Sequence, residues 1–257
     1  MTEKLTIKAI KDRLASADLT AAELASFRQD ERKGVISALN SYDKKQARLA
    51  QKQLEFEKRL EIERSFWRQG ISYIAGIDEV GRGPLAGPVV SAAVILPPDF
   101  ALSDVNDSKQ LSPKKREELY SKILEQALAV GIGVASNKVI DEVNIYQASR
   151  LAMKEAVANL QIQPQQLIID AMTIDSTIPQ LKLIKADAKS ASVAAASIVA
   201  KVYRDHLMQF YERVYPGYGF VQNDGYGTKQ HLAGLAKLGP SPIHRHSFEP
   251  VKKALQK

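Results

Sequence analysis

The sequence predicts an α/β domain, residues 71–257, that follows an all-helical segment, residues 1–70. All 11 prolines lie after residue 70, and so do all but two of the 14 glycines. The first segment is instead rich in Ala, Leu, Lys, Glu, Gln and Arg, which favour helix. After residue 70, short β-branched runs alternate with stretches of helical period, which is the pattern of an α/β fold.

Helices account for the whole first segment. "LTIKAIKDRLASA" carries apolar residues at roughly helical spacing: Leu5, Ile7, Ile10 and Leu14. A second helix is predicted behind an N-cap at Asp18 or Thr20. From about Asp30 to Gln69 the pattern indicates one long helix, or two, ending at Gly70.

The second segment alternates strands and helices. "ISYIAGID" and "GPVVSAAVILP" predict a hairpin, and "VGIGVASNKV" predicts a third strand. A helix begins after the Ser112 cap with Pro113 at its first position, and "DEVNIYQASRLAMKEAVANL" is another. "QQLIIDA" and "LKLIKAD" are the fourth and fifth strands. The Ala-rich run 190–215 is a long helix that stops at Pro216-Gly217.

Composition narrows the class of protein. The hydrophobic content of 45% and the charged content of 25% are ordinary for a soluble globular chain of 257 residues. There is no apolar run of ~18 residues and no secretory signal, so no membrane partner is expected. The absence of cysteine excludes disulfides and thiolate metal sites, and it fits a cytoplasmic protein.

The net charge of +7 favours a polyanionic partner such as nucleic acid. Residues 1–70 hold fifteen Lys and Arg against eleven Asp and Glu, so most of the excess lies there. One interpretation is a helical module that holds a nucleic-acid backbone through a cluster of cations: Lys44, Lys45, Arg48 and Lys52. The other is a solvated helix with many charges, and the sequence leaves both open.

Acidic residues are predicted where strands end. Asp78 and Glu79 close the first strand, Asp170 the fourth and Asp187 the fifth. Carboxylates that converge repel one another unless they are protonated or neutralised by a cation. Their oxygens suit Mg²⁺ or Mn²⁺, and two such ions can promote a phosphoryl displacement. Alternatively these acids are turn formers and helix caps, which for Asp187 alone is the more common role.

The loop "VGRGPLAGP" follows Asp78-Glu79 directly. Its glycines let the backbone approach a ligand, and consecutive N–H groups can bind an anion. No P-loop pattern is present. A glycine loop by itself is usually a turn, but its position beside two acids favours a phosphate or sugar ligand.

Five motifs together resemble bacterial ribonuclease HII, the type 2 ribonuclease H. They are "YIAGIDEVGRGPLAGPVVSAAVILP", "NDSKQLS", "LIIDAM", "KADAKSASVAAASIVAKVYRD" and "YGFVQNDGYGTKQH". The resemblance runs from about Tyr73 to Pro250. It implies an RNase H-like mixed sheet flanked by helices, with a C-terminal helical region. Residues 1–70 are similar in composition and position to the all-helical substrate-binding extension of some members.

The resemblance also implies an activity. The family cleaves the RNA strand of RNA–DNA hybrids and nicks duplex DNA 5′ to an embedded ribonucleotide, leaving a 3′-hydroxyl and a 5′-phosphate. Its four acids bind two Mn²⁺ or Mg²⁺ ions, and by motif they are Asp78, Glu79, Asp170 and Asp187. The expected partners are RNA–DNA hybrid and ribonucleotide-containing DNA, and nothing demands more than a monomer.

Further roles follow from the matched motifs. The resemblance assigns Gly81, Arg82 and Gly83 to the ribose 2′-hydroxyl and its phosphate, as telling RNA from DNA requires. Tyr226 matches a tyrosine that stacks on the adjoining sugar and senses the RNA-to-DNA junction. Lys109 is expected to contact phosphate, or to be an exposed loop lysine.

Some positions depart from the pattern or are assigned less directly. Gln110, Gly227 and His246 stand where Lys, Pro and Arg are common in the family. A phosphate contact from Arg245 is one possibility. The Ala-rich helix, whose start could also face phosphate, is lined by four polar residues: Ser192, Ser197, Lys201 and Arg204. Most of its Ala and Ser residues are better explained by close packing. Three histidines are expected at the surface: His231, His244 and His246.

Two alternatives stay open. A type 3 ribonuclease H would share the sheet, but Arg82 and the helical residues 1–70 count against it. A non-catalytic nucleic-acid-binding protein would use the acids as caps or as a structural cation site.

Overall fold

The computed structural model describes residues 5–256. The first four residues of the predicted helical segment and Lys257 at the end of the predicted α/β domain lie outside this range. The chain divides into two compact units, Met1–Glu55 and Phe56–Lys257. The predicted domain boundary at residue 70 stays a prediction. Within the described residues, no helix is both long and apolar enough to cross a membrane.

The first unit is helical. Helices α1 (Ile7–Ala15) and α2 (Ala21–Arg28) precede the long helix α3 (Lys33–Trp67), which begins in this unit. Thr20 is the N-cap of α2 and forms a capping box with Glu23. Apolar side chains of the three helices form one buried cluster: Ile10, Leu14, Phe27, Val35 and Leu39. Of the four apolar residues that the helical period marked, Ile10 and Leu14 are buried and Ile7 is partly buried, whereas Leu5 is exposed.

A mixed sheet of five strands organises the second unit, in the order β3-β2-β1-β4-β5. Strand β1 pairs antiparallel with β2 and parallel with β4, while β2–β3 is antiparallel and β4–β5 is parallel. The strands are β1 (Ile74–Val80), β2 (Val89–Ile95), β3 (Ala129–Ala135), β4 (Gln166–Asp170) and β5 (Gln180–Leu183). The predicted mixed sheet is confirmed.

Helices cover both faces of this sheet. Along β2, Val90 and Val94 pack in a cluster with the long helix α6 (Ala191–Val214), whereas Ala93 and Ile95 pack in a cluster with helix α5 (Asn137–Ala158). Alternate residues of a strand point to opposite faces, so these two helices lie on opposite sides. The remaining helices are α4 (Pro113–Gln126), α7 (Phe220–Asn223), α8 (Lys229–Leu238) and α9 (Glu249–Leu255).

The end of α3 belongs to the core of the second unit. Phe56 and Leu60 are each 1% exposed and pack in the same cluster as α6. Gly76 of β1 lies against the backbone at Ser192, where any Cβ would clash. Helix α6 can therefore approach β1 closely, and this contact places the start of α6 beside the strand that carries Asp78.

Candidate active site

Two acids lie at the carboxyl end of β1, and a third ends the neighbouring strand. Strand β1 continues to Val80, so Asp78 and Glu79 lie within its last residues rather than after it. Asp170 is the last residue of β4. Ile77 pairs with Ile169 in the parallel register, so Asp78 and Asp170 each follow a paired residue. Neighbouring strands are ~4.8 Å apart, which makes these two acids neighbours across the sheet edge.

Asp187 reaches this edge from a turn, not from a strand. The prediction that it closes the fifth strand was wrong, because β5 ends at Leu183 and Asp187 lies in a 3₁₀ turn, Ala186–Ala188. Lys185 precedes the turn in a left-handed conformation with φ 56°. The backbone N–H of Ala186 donates to Oδ1 of Asp170 at 2.7 Å. Asp170 thus holds the turn that carries Asp187.

The charge of Asp170 acts on each of the other three acids. Burial, then the charges of Glu79 and Asp170, hold the pKa of Asp78 well above its usual value, although a hydrogen bond from Ser197 lowers it. The pKa of Glu79 is raised to about 7, chiefly by burial and also by Asp170, while Arg82 opposes the rise. Burial, Asp107 and Asp170 raise the pKa of Asp187. The site therefore gathers acidic groups whose charge Arg82 and Lys109 offset only in part.

Lys109 also lies within the influence of this charge. Burial lowers its pKa, but the carboxylates of Asp107, Asp78, Asp187 and Asp170 outweigh burial and raise it. Asp107 caps the short 3₁₀ helix Ser108–Gln110 that carries Lys109. The hydroxyl of Ser108 lies 3.0 Å from that of Ser197. Since Ser197 bonds Asp78, the two hydroxyls connect the Lys109 segment with β1.

The donor atoms suit a hard divalent cation. Across residues 5–256, no group of three or more Asp, Glu or His side chains has the arrangement to hold a metal ion. The four acids nevertheless supply only carboxylate oxygens, which Mg²⁺ and Mn²⁺ prefer. Oε2 of Glu79 is buried and has no hydrogen-bond partner. An unpaired buried carboxylate oxygen is costly, and a cation would satisfy it.

The glycine loop beside these acids rests on two buried arginines. Arg245 donates to the carbonyls of Gly81 and Arg82 and, at 3.0 Å, to that of Gly87. Arg204 donates to the carbonyls of Ala86 and Pro88. Both guanidiniums are almost fully buried, with 0% and 1% of each residue exposed. Backbone carbonyls occupy the donors of both arginines, so the possible phosphate contact of Arg245 is not available, and Arg204 does not face a phosphate either.

The other polar residues of α6 are also engaged by the protein. Glu63 of α3 accepts from Ser192 N at 3.0 Å and from the Ser190 and Ser192 hydroxyls at 2.5 and 2.6 Å. A carboxylate already caps this helix, so its buried start does not face a phosphate. Lys201 forms ion pairs with Asp205 and Asp224 at 2.5 and 2.6 Å. Asp205 is four residues from Lys201 on the same helix, but Glu63 and Asp224 are distant in the chain, so the sequence contained no sign of them as partners.

Tyr226 lies against the glycine loop. A Cβ on Gly83 would be 3.2 Å from Cε1 of Tyr226, and the tyrosine is 48% exposed. Gly81 has φ 92°, which favours glycine. Arg82 is exposed, and its Nη1 lies 3.4 Å from Oε1 of Glu79. The structure thus places Tyr226 next to Gly83, and Arg82 next to the acids.

Two of the histidines were assigned wrongly. His231 and His244 are 0% exposed, not at the surface, and their Nε2 atoms lie 3.0 Å apart. Both pack on the aromatic rings of Tyr218 and Phe220. A lone histidine in a sequence gives no sign of such a pair, since the two partners are thirteen residues apart. His246 is exposed, as expected.

Comparison with known proteins gives consistent matches. A family model described as Ribonuclease HII matches residues 75–251, and one described as Ribonuclease HII N-terminal domain matches residues 6–67. The chain is 66% identical to a protein named Ribonuclease HII from Ligilactobacillus salivarius, over 99% of this chain and 100% of that one. A Levilactobacillus brevis protein of the same name is 57% identical over the full length of both.

A solved structure is similar as well. The ribonuclease H2 from Pyrococcus horikoshii OT3 superposes with a TM-score of 0.63 and 28% sequence identity. The match covers 72% of this chain and 97% of that one.

Proposed function

The chain belongs to the ribonuclease HII family and is a ribonuclease H, and from this premise we propose how its site acts. The enzyme hydrolyses the RNA strand of RNA–DNA hybrids and nicks duplex DNA 5′ to an embedded ribonucleotide. The products are a 3′-hydroxyl and a 5′-phosphate. One geometric observation carries the proposal: Asp78 and Asp170 follow paired residues of two adjacent strands, and Asp170 accepts a hydrogen bond from the turn that carries Asp187.

Asp78, Glu79, Asp170 and Asp187 would hold two divalent ions, Mg²⁺ or Mn²⁺. When bound, such ions polarise the scissile phosphate and stabilise charge on the leaving oxygen. The raised pKa of Glu79 and its unpaired Oε2 support this role, because each is the mark of a missing positive charge. The Asp170 hydrogen bond to Ala186 N keeps the Asp187 turn in place for the same ions.

The substrate is held by the loop and by residues around it. Gly81, Arg82 and Gly83 contact the ribose 2′-hydroxyl and its phosphate, and Tyr226 stacks on the adjoining sugar. The contact of Tyr226 with Gly83 supports this assignment, because one nucleotide can touch both. Lys109 contacts a phosphate near the acids, whose charges already reach its ammonium group.

We assign the enzyme to the cytoplasm, whose reducing conditions suit a cysteine-free sequence. We propose that it acts as a monomer. In this role its partners are RNA–DNA hybrid and DNA that contains ribonucleotides. The cations of the first unit add affinity for the nucleic-acid backbone.

The test uses a DNA duplex with a single embedded ribonucleotide and Mg²⁺ or Mn²⁺. A nick immediately 5′ to the ribonucleotide is expected, whereas a type 3 enzyme would leave this duplex largely intact. Asp170→Asn should lower the cleavage rate by about a thousandfold or more, since metal-binding and electrostatic groups contribute that much. Cleavage by Asp170→Asn at near the wild-type rate would exclude the role of the four acids. A protein that only binds nucleic acid would not cleave this duplex at any concentration of Mg²⁺ or Mn²⁺.

A further inference from the structure

The buried pair His231–His244 has no part in the function proposed above. His231 lies on α8 and His244 lies in the segment that leads to Arg245. Their Nε2 atoms are 3.0 Å apart, and neither ring is exposed. Two buried imidazoles in direct contact are costly unless each nitrogen has a hydrogen-bond partner. The partners of the two Nδ1 atoms therefore determine which nitrogens carry the protons.

The outer partners fix the direction of every hydrogen bond in the pair. The backbone N–H of Ser241 donates to Nδ1 of His244 at 2.9 Å, so this nitrogen is an acceptor and the proton of His244 is on Nε2. That proton points at Nε2 of His231, which must accept it. The proton of His231 is then on Nδ1, 2.9 Å from the carbonyl oxygen of Tyr226.

Both rings must be neutral for this chain of hydrogen bonds to exist. A second proton on either ring would place two N–H groups face to face. Burial lowers the pKa of His231, and burial together with the neighbouring His231 lowers that of His244 to about 4. At neutral pH the pair is therefore a fixed, uncharged link from the Ser241 backbone to the Tyr226 backbone.

Two bonds from outside the loop hold the residues just before Tyr226: the Leu85 N–H donates to the Gly225 carbonyl at 2.7 Å, and Arg204 donates to the Asp224 carbonyl at 2.9 Å. The bonds of Tyr226 itself are local. Tyr226 N–H donates to the Asn223 carbonyl at 2.8 Å, and the Tyr226 carbonyl accepts from Thr228 N–H at 2.7 Å. These bonds shape the turn locally. His231 is the side chain that ties the Tyr226 carbonyl to the body of α8, and its ring is packed against Tyr218 and Phe220. The orientation of the exposed Tyr226 ring over Gly83 depends on this backbone position.

We propose that His231 and His244 are positioning residues that hold Tyr226 over Gly83 and thereby support recognition of an isolated ribonucleotide. This inference rests on the proposed function, in which Tyr226 senses the junction of RNA with DNA. The pair touches no substrate and acts through the Tyr226 carbonyl. Loss of the link should therefore reduce cleavage at one ribonucleotide in DNA more than cleavage of a uniform RNA–DNA hybrid.

The test compares two amides at position 231. In His231→Asn the amide nitrogen takes the place of Nδ1 and can still donate to the Tyr226 carbonyl, whereas in His231→Gln it takes the place of Nε2 and cannot. The measured quantity is the ratio of kcat/KM for the single-ribonucleotide duplex to kcat/KM for the hybrid. His231→Gln should lower this ratio about tenfold, as small misplacements do, and His231→Asn should keep it within about threefold. His206→Gln, at an exposed histidine, is the control and should leave it unchanged.

Two results would overturn the proposal. One is an equal ratio in both amide variants, since a packing role would treat them alike. The other is a further loss when His231→Gln is added to Tyr226→Ala, because a residue that acts through Tyr226 has no effect once that ring is gone. Circular dichroism and thermal melting show whether each variant folds. If His231→Gln does not, His244→Gln, which still donates to His231, should keep the ratio, and His244→Asn should lose it.

The wild-type enzyme separates this inference from the proposed function. If it does not nick the single-ribonucleotide duplex at all, the proposed function fails. If it nicks the duplex and the amide variants do not differ, only the role of the histidines fails.

Discussion

At the scale of single residues, the acids of β1 carry a charge that the protein alone does not balance. Asp78 is 6% exposed, and the Glu79 side chain is 10% exposed. The raised pKa values mean that the folded chain holds protons on these groups more tightly than the unfolded chain does. Their stabilising contribution is present at low pH and is lost as the pH rises. Above the pKa of these acids, the ionised carboxylates that the proposed function requires therefore lower the stability of the folded protein.

Glu79→Gln should make the metal-free protein more stable at pH 8. The pKa of Glu79 is about 7 when folded and 4.5 ordinarily, so ionisation destabilises the fold by up to ~3 kcal/mol above pH 7. The gain should shrink as the pH falls from 7 towards 4.5. Urea unfolding in the presence of a chelator, at pH 8 and near pH 4.5, measures the difference in the free energy of unfolding between the variant and the wild type. Glu125→Gln, at an exposed glutamate, is the control, and no gain at pH 8 would contradict the raised pKa.

Residue roles were predictable from the sequence where neighbours along the chain reveal them. Asp78 and Asp170 end apolar runs that read as strands, and both are at the sheet edge. Arg245 was misassigned because a charged residue in a polar segment is usually exposed. Its actual partners are carbonyls of Gly81, Arg82 and Gly87, more than 150 residues earlier in the chain. Local pattern carries no information on such a contact.

At the scale of elements, the start of α6 is held by a side chain from another helix. Glu63 on α3 is 1% exposed and accepts from the Ser192 N–H, as an N-terminal carboxylate does. Ser190, the N-cap of α6, also donates its backbone N–H to Ala186 in the turn that carries Asp187. The helix start and the Asp187 turn are therefore one hydrogen-bonded unit.

Glu63→Gln should destabilise the protein by ~2 kcal/mol, because it removes a charged acceptor from a buried helix start. It should also lower activity, since the Asp187 turn loses support. Thermal melting and cleavage of a hybrid measure the two effects. Glu61→Gln, on the same helix but exposed and paired with Arg68, should change neither by a comparable amount. Equal effects of the two changes would show that the cap has no special role.

The element boundaries were predicted well where breakers are clear. Ser112 caps α4, and α6 ends at Val214 before Pro216. The fifth strand was predicted too long, because "LKLIKAD" still has an apolar β-branched residue, Ile184, after Leu183. The left-handed Lys185 ends it, and a non-glycine residue gives no warning of that conformation.

At the scale of the whole molecule, the positive charge is distributed unevenly, and the first unit contains much of it. Helix α3 starts in that unit, but its Phe56 and Leu60 are core residues of the second. Deletion of residues 1–70 would therefore damage the catalytic unit. Substitution of exposed Lys and Arg side chains therefore tests more directly whether the first unit binds nucleic acid.

Replacing Lys44, Lys45 and Arg48 together by Gln should weaken hybrid binding and reduce its salt dependence. Each phosphate contact that is lost lowers the slope of log K against log salt by ~0.9, so the change should approach ~3 if all three bind. Fluorescence anisotropy over a salt series measures it. The control is the same replacement by Gln at three exposed lysines of the second unit, Lys237, Lys252 and Lys253. This control should alter the slope less. An unchanged slope in the first variant would favour the solvated helix.

The parallel pairing of β1 with β4 has a consequence for how such a chain can vary. Ile77 and Ile169 are partners, and the acids that follow them are separated by about ninety positions of intervening chain. Insertions within that interval can be absorbed by surface connections. A single residue gained or lost inside either strand would turn its acid to the opposite side of the sheet. Remote relatives are therefore better sought by the distance of each acid from its strand terminus than by the gap between the acids.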